Sequence, residues 1–172
     1  MLKFDTRRCD EPPRDRYCHA RGDVKFFASF VRNAAVWTTS VNLSTDTIKL
    51  GFIGNGVTCS IAMADPRWAA GGSTNLLAQE VATGSVYITG GPTLANVAWS
   101  QTGGTVALTA TNVTVAQDVA GFTTAYWAIG YSNTSTNKYA IFYVDLGGPV
   151  GISAGAVSIT WNAAGIGTAI SS

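Results

Sequence analysis

Charged side chains are scarce in this chain of 172 residues, of which only 12% are Asp, Glu, Lys or Arg. A soluble domain usually has about a quarter of its residues charged. The scarcity is also uneven, because 13 of the 21 charges lie in the first 32 residues and only eight in the remaining 140. Residues 33–172 are therefore poorly solvated by charge, and we expect partners to cover much of their surface.

Histidine and cysteine are nearly absent. The only histidine is His19, and the three cysteines are Cys9, Cys18 and Cys59. Because His19 lies in the charged first segment, it has no rigid surroundings of the kind that a catalytic triad requires. The spacing of Cys9, Cys18 and His19 matches no standard zinc motif, and a fourth ligand is missing. The sequence therefore predicts no catalytic residue, no metal and no cofactor.

The cysteines have other interpretations. Cys9 and Cys18 are candidates for a disulfide, within the first segment or between subunits, once the protein meets oxidising conditions. Cys59 lies at an apolar position of a predicted strand, which indicates a buried free thiol.

No hydrophobic run is long enough to cross a bilayer. The best candidate, residues 26–37, is too short and is interrupted by Arg32. It is also a poor signal peptide, since the region before it is long and mixed in charge and no clear cleavage site follows. We therefore expect no membrane partner, and synthesis in the cytoplasm of the producing cell.

Residues 1–23 are predicted to be an extended arm, because they combine many charges with two adjacent prolines and show little periodicity. Acidic residues are interleaved with the basic ones, which lowers the attraction to phosphate and argues against a nucleic-acid partner. The arm is either a solvated N-terminus or a segment that becomes ordered on a neighbouring subunit. In the second interpretation, these arginines contact an acidic partner surface: Arg7, Arg8, Arg14, Arg16 and Arg21.

The rest of the chain, residues 24–172, is predicted to be one mainly β body. Apolar residues at helical spacing predict a leading helix over residues 24–36, which Asp23 would cap. After residue 42 the apolar period becomes two, and turn signals recur every 8 to 14 residues, which indicates eight to ten short strands. This pattern favours an antiparallel β-sandwich of jelly-roll or immunoglobulin-like type.

Trp68 lies in a long predicted connection, residues 64–74, beside Arg67. It is the best candidate for an exposed aromatic contact to another subunit or to a sugar. The alternative is a loop that is anchored by its own tryptophan. Trp127 and Trp161, by contrast, lie in strongly apolar predicted strands and are expected in the core.

Six short segments of the body follow one another in a characteristic order and spacing. They are residues 24–30 (VKFFASF), 43–50 (LSTDTIKL), 80–87 (EVATGSVY), 90–94 (GGPTL), 143–148 (YVDLGG) and 157–166 (VSITWNAAGI). In these segments the chain resembles a family of small virion structural proteins from tailed bacteriophages. Val115 replaces a tryptophan of that family, residues 64–74 differ, and the charged arm has no counterpart there. The resemblance implies a non-enzymatic head or tail component and supplies no catalytic residues.

Together, the composition and the resemblance predict a protein of the virion. The first hypothesis is a capsid decoration protein that binds the major capsid protein and copies of itself, with the arm as a tether. A trimer is expected by analogy with decoration proteins at threefold positions. The second hypothesis is a tail, baseplate or fibre component that binds host glycans through Trp68. The third is a secreted carbohydrate-active enzyme, which would use a carboxylate among Asp65, Glu80 and Asp118.

Overall fold

A computed structural model describes residues 24–35 and 41–170 of the chain. It confirms a mainly β protein with one helix, in which 40% of the chain is strand and 7% is helical. Helix α1 spans Ala28–Ala35, and a 3-10 turn spans Leu77–Gln79. The strands, in chain order, are β1 (Val24–Phe26), β2 (Ile48–Ile53), β3 (Pro66–Arg67), β4 (Thr74–Asn75), β5 (Ala98–Thr102), β6 (Thr105–Thr109), β7 (Val113–Val115), β8 (Ala125–Ser132), β9 (Ala140–Val150), β10 (Val157–Ile159) and β11 (Gly167–Ile170).

The central sheet has four antiparallel strands in the order β1-β9-β8-β2. Its two middle strands are buried on both faces, because residues 140–144 of β9 and residues 128–132 of β8 are all buried. Successive side chains of a strand point to opposite faces, so a continuous buried run requires cover on each side of the sheet. The rest of the chain supplies that cover.

Each face of the central sheet is covered by different elements. On one face, Trp68 stacks on Tyr131 of β8 with 4.8 Å between the ring centroids. On the other face, Phe142 of β9 packs edge-on against Trp161 at 6.0 Å and against Phe26 at 6.1 Å. The core therefore lies on both sides of β8 and β9.

The described strands form four separate sheets, and these sheets do not close into a barrel. Besides the central sheet there is a three-stranded sheet in the order β11-β6-β5, an antiparallel pair β10-β7 and a short parallel pair β3-β4. In the three-stranded sheet, β5 lies at the outer edge.

The prediction of a helix over residues 24–36 is wrong at its start. Val24–Phe26 forms β1 and pairs with β9 in antiparallel register, and helix α1 begins only at Ala28. The edge of β9 was open to a short segment of β-branched and aromatic residues, and this long-range pairing prevailed over the local helical spacing. Residue 36 and the arm, residues 1–23, lie outside the described residues. Helix α1 has eight residues, and the described part of the chain has no helix long and apolar enough to span a membrane.

The packing of the central sheet predicts a large difference between two Gly→Ala variants. At Gly130 in β8, an added methyl group would lie 2.3 Å from the ring of the buried Phe142. We expect Gly130→Ala to lower the free energy of unfolding by about 1–3 kcal/mol, the usual cost of overpacking a core. Urea unfolding followed by tryptophan fluorescence measures the change.

Gly155→Ala is the matched control, because nothing lies within 4 Å of the added methyl group. This substitution is expected to leave the stability unchanged or to raise it by up to about 1 kcal/mol, since alanine restricts the unfolded chain. Equal unfolding midpoints for the two variants would contradict the packing described for β8 and β9.

Candidate interaction surface

Strand β5 is an edge strand whose outer side has no partner among the described residues. It forms one end of the sheet β11-β6-β5, and all five of its residues are exposed. No hydrogen bond from the rest of the described chain reaches the backbone on its outer side. Within residues 24–35 and 41–170, the outward backbone donors and acceptors of the strand therefore have no partner.

A tight turn sets the register of the hairpin that contains β5. Thr102 and Thr105 face each other across the two residues 103–104. Gly103 has φ 60°, which suits the first central position of a type II′ turn. In a hairpin with a two-residue loop, the pair that flanks the turn is hydrogen-bonded, and the pairs further along alternate between bonded and non-bonded.

This alternation decides which groups of β5 point away from β6. Trp99 and Gln101 stand at the non-bonded pairs, opposite Leu108 and Val106. Their N–H and C=O groups are therefore directed at the free edge. Ser100 lies between them and uses its own backbone groups to pair with β6.

The free edge lacks three features that often protect such strands. Lysines, prolines and bulges commonly prevent edge strands from pairing with other chains. Residues 98–109, which include both strands of the hairpin, contain no charged residue and no proline, and their register is regular. An edge of this kind favours pairing with a strand from another molecule.

An apolar groove adjoins the same edge. It has a volume of about 630 Å³ and lies beside helix α1. Its lining residues are all uncharged: Phe26, Phe30, Val31, Ala34, Val41, Asn42, Leu43, Ser44, Trp99 and Thr168. Two large apolar side chains of this lining, Trp99 and Val31, have 41% and 53% of their surfaces exposed. Trp99 belongs both to the groove and to the edge strand, so the two form one surface.

The floor of the groove is built around Phe26. Strand β1 holds this residue opposite Phe142 of β9, and the ring stacks on Phe30 of α1 with 6.2 Å between centroids. Gly167 of β11 leaves room for the Phe26 ring, because a methyl group there would lie 2.2 Å from it. Strand β1, helix α1 and strand β11 thus meet at one aromatic ring.

A polar cluster holds residues 80–94 along strand β2. The carboxylate of Glu80 accepts hydrogen bonds through Oε1 from the backbone N–H of Gly90 at 2.6 Å and from the Tyr87 hydroxyl at 3.0 Å. The Tyr87 oxygen accepts the backbone N–H of Phe52 at 2.9 Å, and the Tyr131 hydroxyl donates to the Gly90 carbonyl at 2.9 Å. Burial raises the pKa of both tyrosines, and the negative charge of Glu80 adds to this shift.

The cluster explains why the edge of β2 is not available to other chains. Lys49 and Ile53 of β2 form bridges with Thr93 and Glu80, so residues 80–94 lie along that edge. The hydrogen bonds of Glu80 fix this covering segment in place. β5 has no equivalent cover among the described residues.

The prediction that Trp68 is an exposed contact is wrong. Only 1% of its surface is exposed, and its ring lies over Gly51, where a methyl group would come within 2.2 Å of the indole. The missing side chain of Gly51 creates the space in which the indole stacks on Tyr131. The alternative interpretation, a loop anchored by its own tryptophan, is the one that the structure supports. The buried indole N–H has no hydrogen-bond partner among the described residues.

Several predicted site residues lie in the arm, outside the described residues. These are Arg7, Arg8, Arg14, Arg16 and Arg21, together with Cys9 and Cys18. The prediction for Cys59 is confirmed, since it is a buried free thiol. Burial raises the pKa of this thiol to about 12, and Asp145 contributes in the same direction. Across residues 24–35 and 41–170, no group of three or more His, Cys, Asp or Glu could hold a metal ion.

The three carboxylates considered for catalysis each have local partners. Asp65 forms an ion pair with Arg67 at 2.7 Å. Asp118 accepts hydrogen bonds from the Ser85 hydroxyl at 3.1 Å and from the backbone N–H of Ala120 at 3.0 Å. Glu80 holds residues 80–94 as described above. Each of the three carboxylates thus has at least one polar partner in the described chain.

Sequence reasoning did not single out Trp99, although it lies at the centre of the surface. A signal was present, because residues 98–102 (AWSQT) contain one large apolar residue and otherwise small or polar side chains. Such a segment does not suit the buried interior of a sheet, which is rich in Val, Ile and aromatic residues.

Comparisons of the chain with protein family models, with curated proteins and with solved structures found no match. The surface is therefore interpreted from its own chemistry. It combines an unpaired strand edge, an uncharged groove and a half-exposed tryptophan, which are features of an interface rather than of a catalytic cleft.

The hydrogen bonds of Glu80 predict a clear order of stability among its variants. Glu80→Ala leaves the backbone N–H of the buried Gly90 without its acceptor, and we expect the free energy of unfolding to fall by about 1–3 kcal/mol. Glu80→Gln retains an acceptor oxygen in the same place, so its loss should be smaller. Denaturant unfolding of the three proteins measures the order, and a Glu80→Ala variant as stable as the wild type would contradict the structural role.

Proposed function

We propose that this protein is a non-enzymatic structural subunit of a virion, and that it decorates the capsid by binding the major capsid protein and copies of itself. The observation that carries the proposal is the uncharged free edge of β5 beside the apolar groove. On a solitary monomer such a surface invites non-specific association, whereas neighbouring subunits in an assembly would cover it. The resemblance of six sequence segments to a family of phage virion proteins supports the assignment to a virion.

The distribution of charge supports the role of the arm as a tether. Residues 1–32 carry eight basic and five acidic groups, whereas residues 33–172 carry three basic and five acidic groups. A net positive arm would be attracted to an acidic surface on a neighbouring subunit, and arginine suits such contacts because it binds carboxylates through two parallel hydrogen bonds. The arm joins the body at β1, whose residue Phe26 lines the groove. The tether would thus start next to the proposed docking surface.

We also propose that the central sheet and the smaller sheets act as the two layers of a sandwich-like body. Phe26 of β1 lies against Gly167 of β11, and Phe142 of β9 contacts Trp161, which follows β10. These contacts bring elements of, or next to, two other sheets to one side of the central sheet. A layered body of this kind is a unit that can repeat on a lattice.

Deletion of residues 1–23 is expected to leave a folded body that no longer binds capsids. The described strands and helix lie within residues 24–170, so their contribution to the far-UV and near-UV circular dichroism should be retained. Binding is measured by co-sedimentation of the protein with empty capsids of the parent particle. A full-length variant with Arg7, Arg8, Arg14, Arg16 and Arg21 replaced by glutamine keeps the arm length and tests the charge alone. Undiminished binding of the truncated protein would contradict the tether.

Immunogold labelling of whole virions separates the capsid from the tail. We expect gold particles over the head surface, at many positions, since a decoration protein is present in many copies. Label confined to the tail tip would support the alternative of a glycan-binding tail component, for which the burial of Trp68 has removed the proposed sugar platform. Absence of label from purified virions would contradict the proposal as a whole.

A further inference from the structure

We propose that β5 pairs with β5 of a second copy of this chain, antiparallel and about a twofold axis at Ser100. This contact would join the two three-stranded sheets into one continuous sheet. The inference rests on the proposed function, because it names the contact through which the assembly subunit meets its own copies. It commits to a second copy as the occupant of the free edge.

The backbone groups of β5 complement themselves. Trp99 and Gln101 each direct one N–H and one C=O group at the free edge, as the hairpin register requires. About an axis at Ser100, Trp99 faces Gln101 of the partner subunit, and Gln101 faces Trp99 of the partner subunit. Each facing pair then exchanges both of its backbone hydrogen bonds. Every outward group of β5 finds a partner in this arrangement.

Ser100 suits the position on the axis. It pairs with β6 on its inner side, so in the new contact it becomes the non-bonded residue, where the two Cα atoms approach to about 4.5 Å. A serine is small enough for this distance, and two facing hydroxyl groups can hydrogen-bond to each other. A charged residue at this point would face its own copy and would be repelled.

The side chains beside the axis also favour a second copy. Trp99 and Gln101 lie on the same face of the strand, so the two copies of Trp99 are diagonal neighbours about 7–8 Å apart, within reach of each other's rings. This arrangement would cover an indole that is 41% exposed in the single chain. The edge and the groove lack charge, so they offer no complementary contact to a strongly basic or acidic partner, whereas an identical strand meets no like charge.

A cysteine placed on the axis tests the register directly. In full-length protein with Cys9 and Cys18 replaced by serine, Ser100→Cys should form a disulfide-linked dimer in a glutathione redox buffer, because the Cα separation falls in the range of natural disulfides. Non-reducing electrophoresis detects the dimer, and mass spectrometry of the linked peptides locates the bridge at position 100. Absence of cross-linking would overturn the proposal.

Thr102→Cys in the same background is the matched control, since it is an exposed residue of the same strand. In the proposed register it faces Ala98 of the partner subunit, and the two copies of position 102 are roughly 14 Å apart, too far for a disulfide. We therefore expect cross-linking at position 100 well above that at position 102. Equal cross-linking of the two variants would show random collision and would overturn the pairing.

A charge variant tests the contact without cysteine chemistry. Ser100→Lys places two like charges across the axis. We expect this variant to sediment as a monomer in sedimentation velocity, whereas the wild-type chain sediments as a dimer. Its circular dichroism spectrum should be unchanged. Thr160→Lys, exposed and outside β5, should remain dimeric. A wild-type chain that is monomeric at high concentration, or a Ser100→Lys variant that stays dimeric, would overturn the proposal.

The outcomes also separate this inference from the proposed function. If the wild-type chain is monomeric in solution but immunogold labelling finds it on capsids, the β5 contact is contradicted and the virion role is still supported. A dimer with the predicted cross-link that is absent from purified virions would support the contact and contradict the virion role.

Discussion

The burial of β8 and β9 on both faces is the constraint on which the rest of the structure depends. Antiparallel sheets often leave one face in water, but residues 140–144 of β9 are all buried. Both faces therefore need cover, and the described chain has one helix of eight residues for that purpose. Loops and the small sheets provide the remaining cover. Backbone groups in buried loops require partners, and the Glu80 carboxylate supplies one to the N–H of Gly90 while it also accepts the Tyr87 hydroxyl.

The fold treats its sheet edges differently. Residues 80–94 lie along the edge of β2, and a carboxylate and two tyrosines fix them there. The edge of β5 has neither cover nor charge among the described residues, and its large side chain, Trp99, faces a groove that is also uncharged. The same chain thus covers the edge of β2 with a specific network and leaves the edge of β5 without cover among the described residues.

How much of this was predictable depends on whether the signal was local. The mainly β character of the body was predicted correctly, since alternation and apolar content lie within each strand. The helix start was wrong because β1 forms only by pairing with β9, more than a hundred residues away. The prediction that Trp68 is exposed was wrong because Gly51, which makes room for the indole, belongs to another strand. The edge position of β5 depends on the order of strands in a sheet, which alternation alone does not contain.

An unprotected edge strand can lead to unlimited pairing between chains, and the geometry of the contact decides whether this happens. A strand that pairs with a different strand of the next copy leaves a new free edge each time, and such contacts can propagate into fibres. A strand that pairs with itself about a twofold axis uses up both edges at once and closes. β5 is only five residues long, ends at the turn at Gly103, and has a small uncharged residue at its centre. These features permit a closed contact between two copies, which would cover the outward backbone groups of β5 without further growth of the sheet.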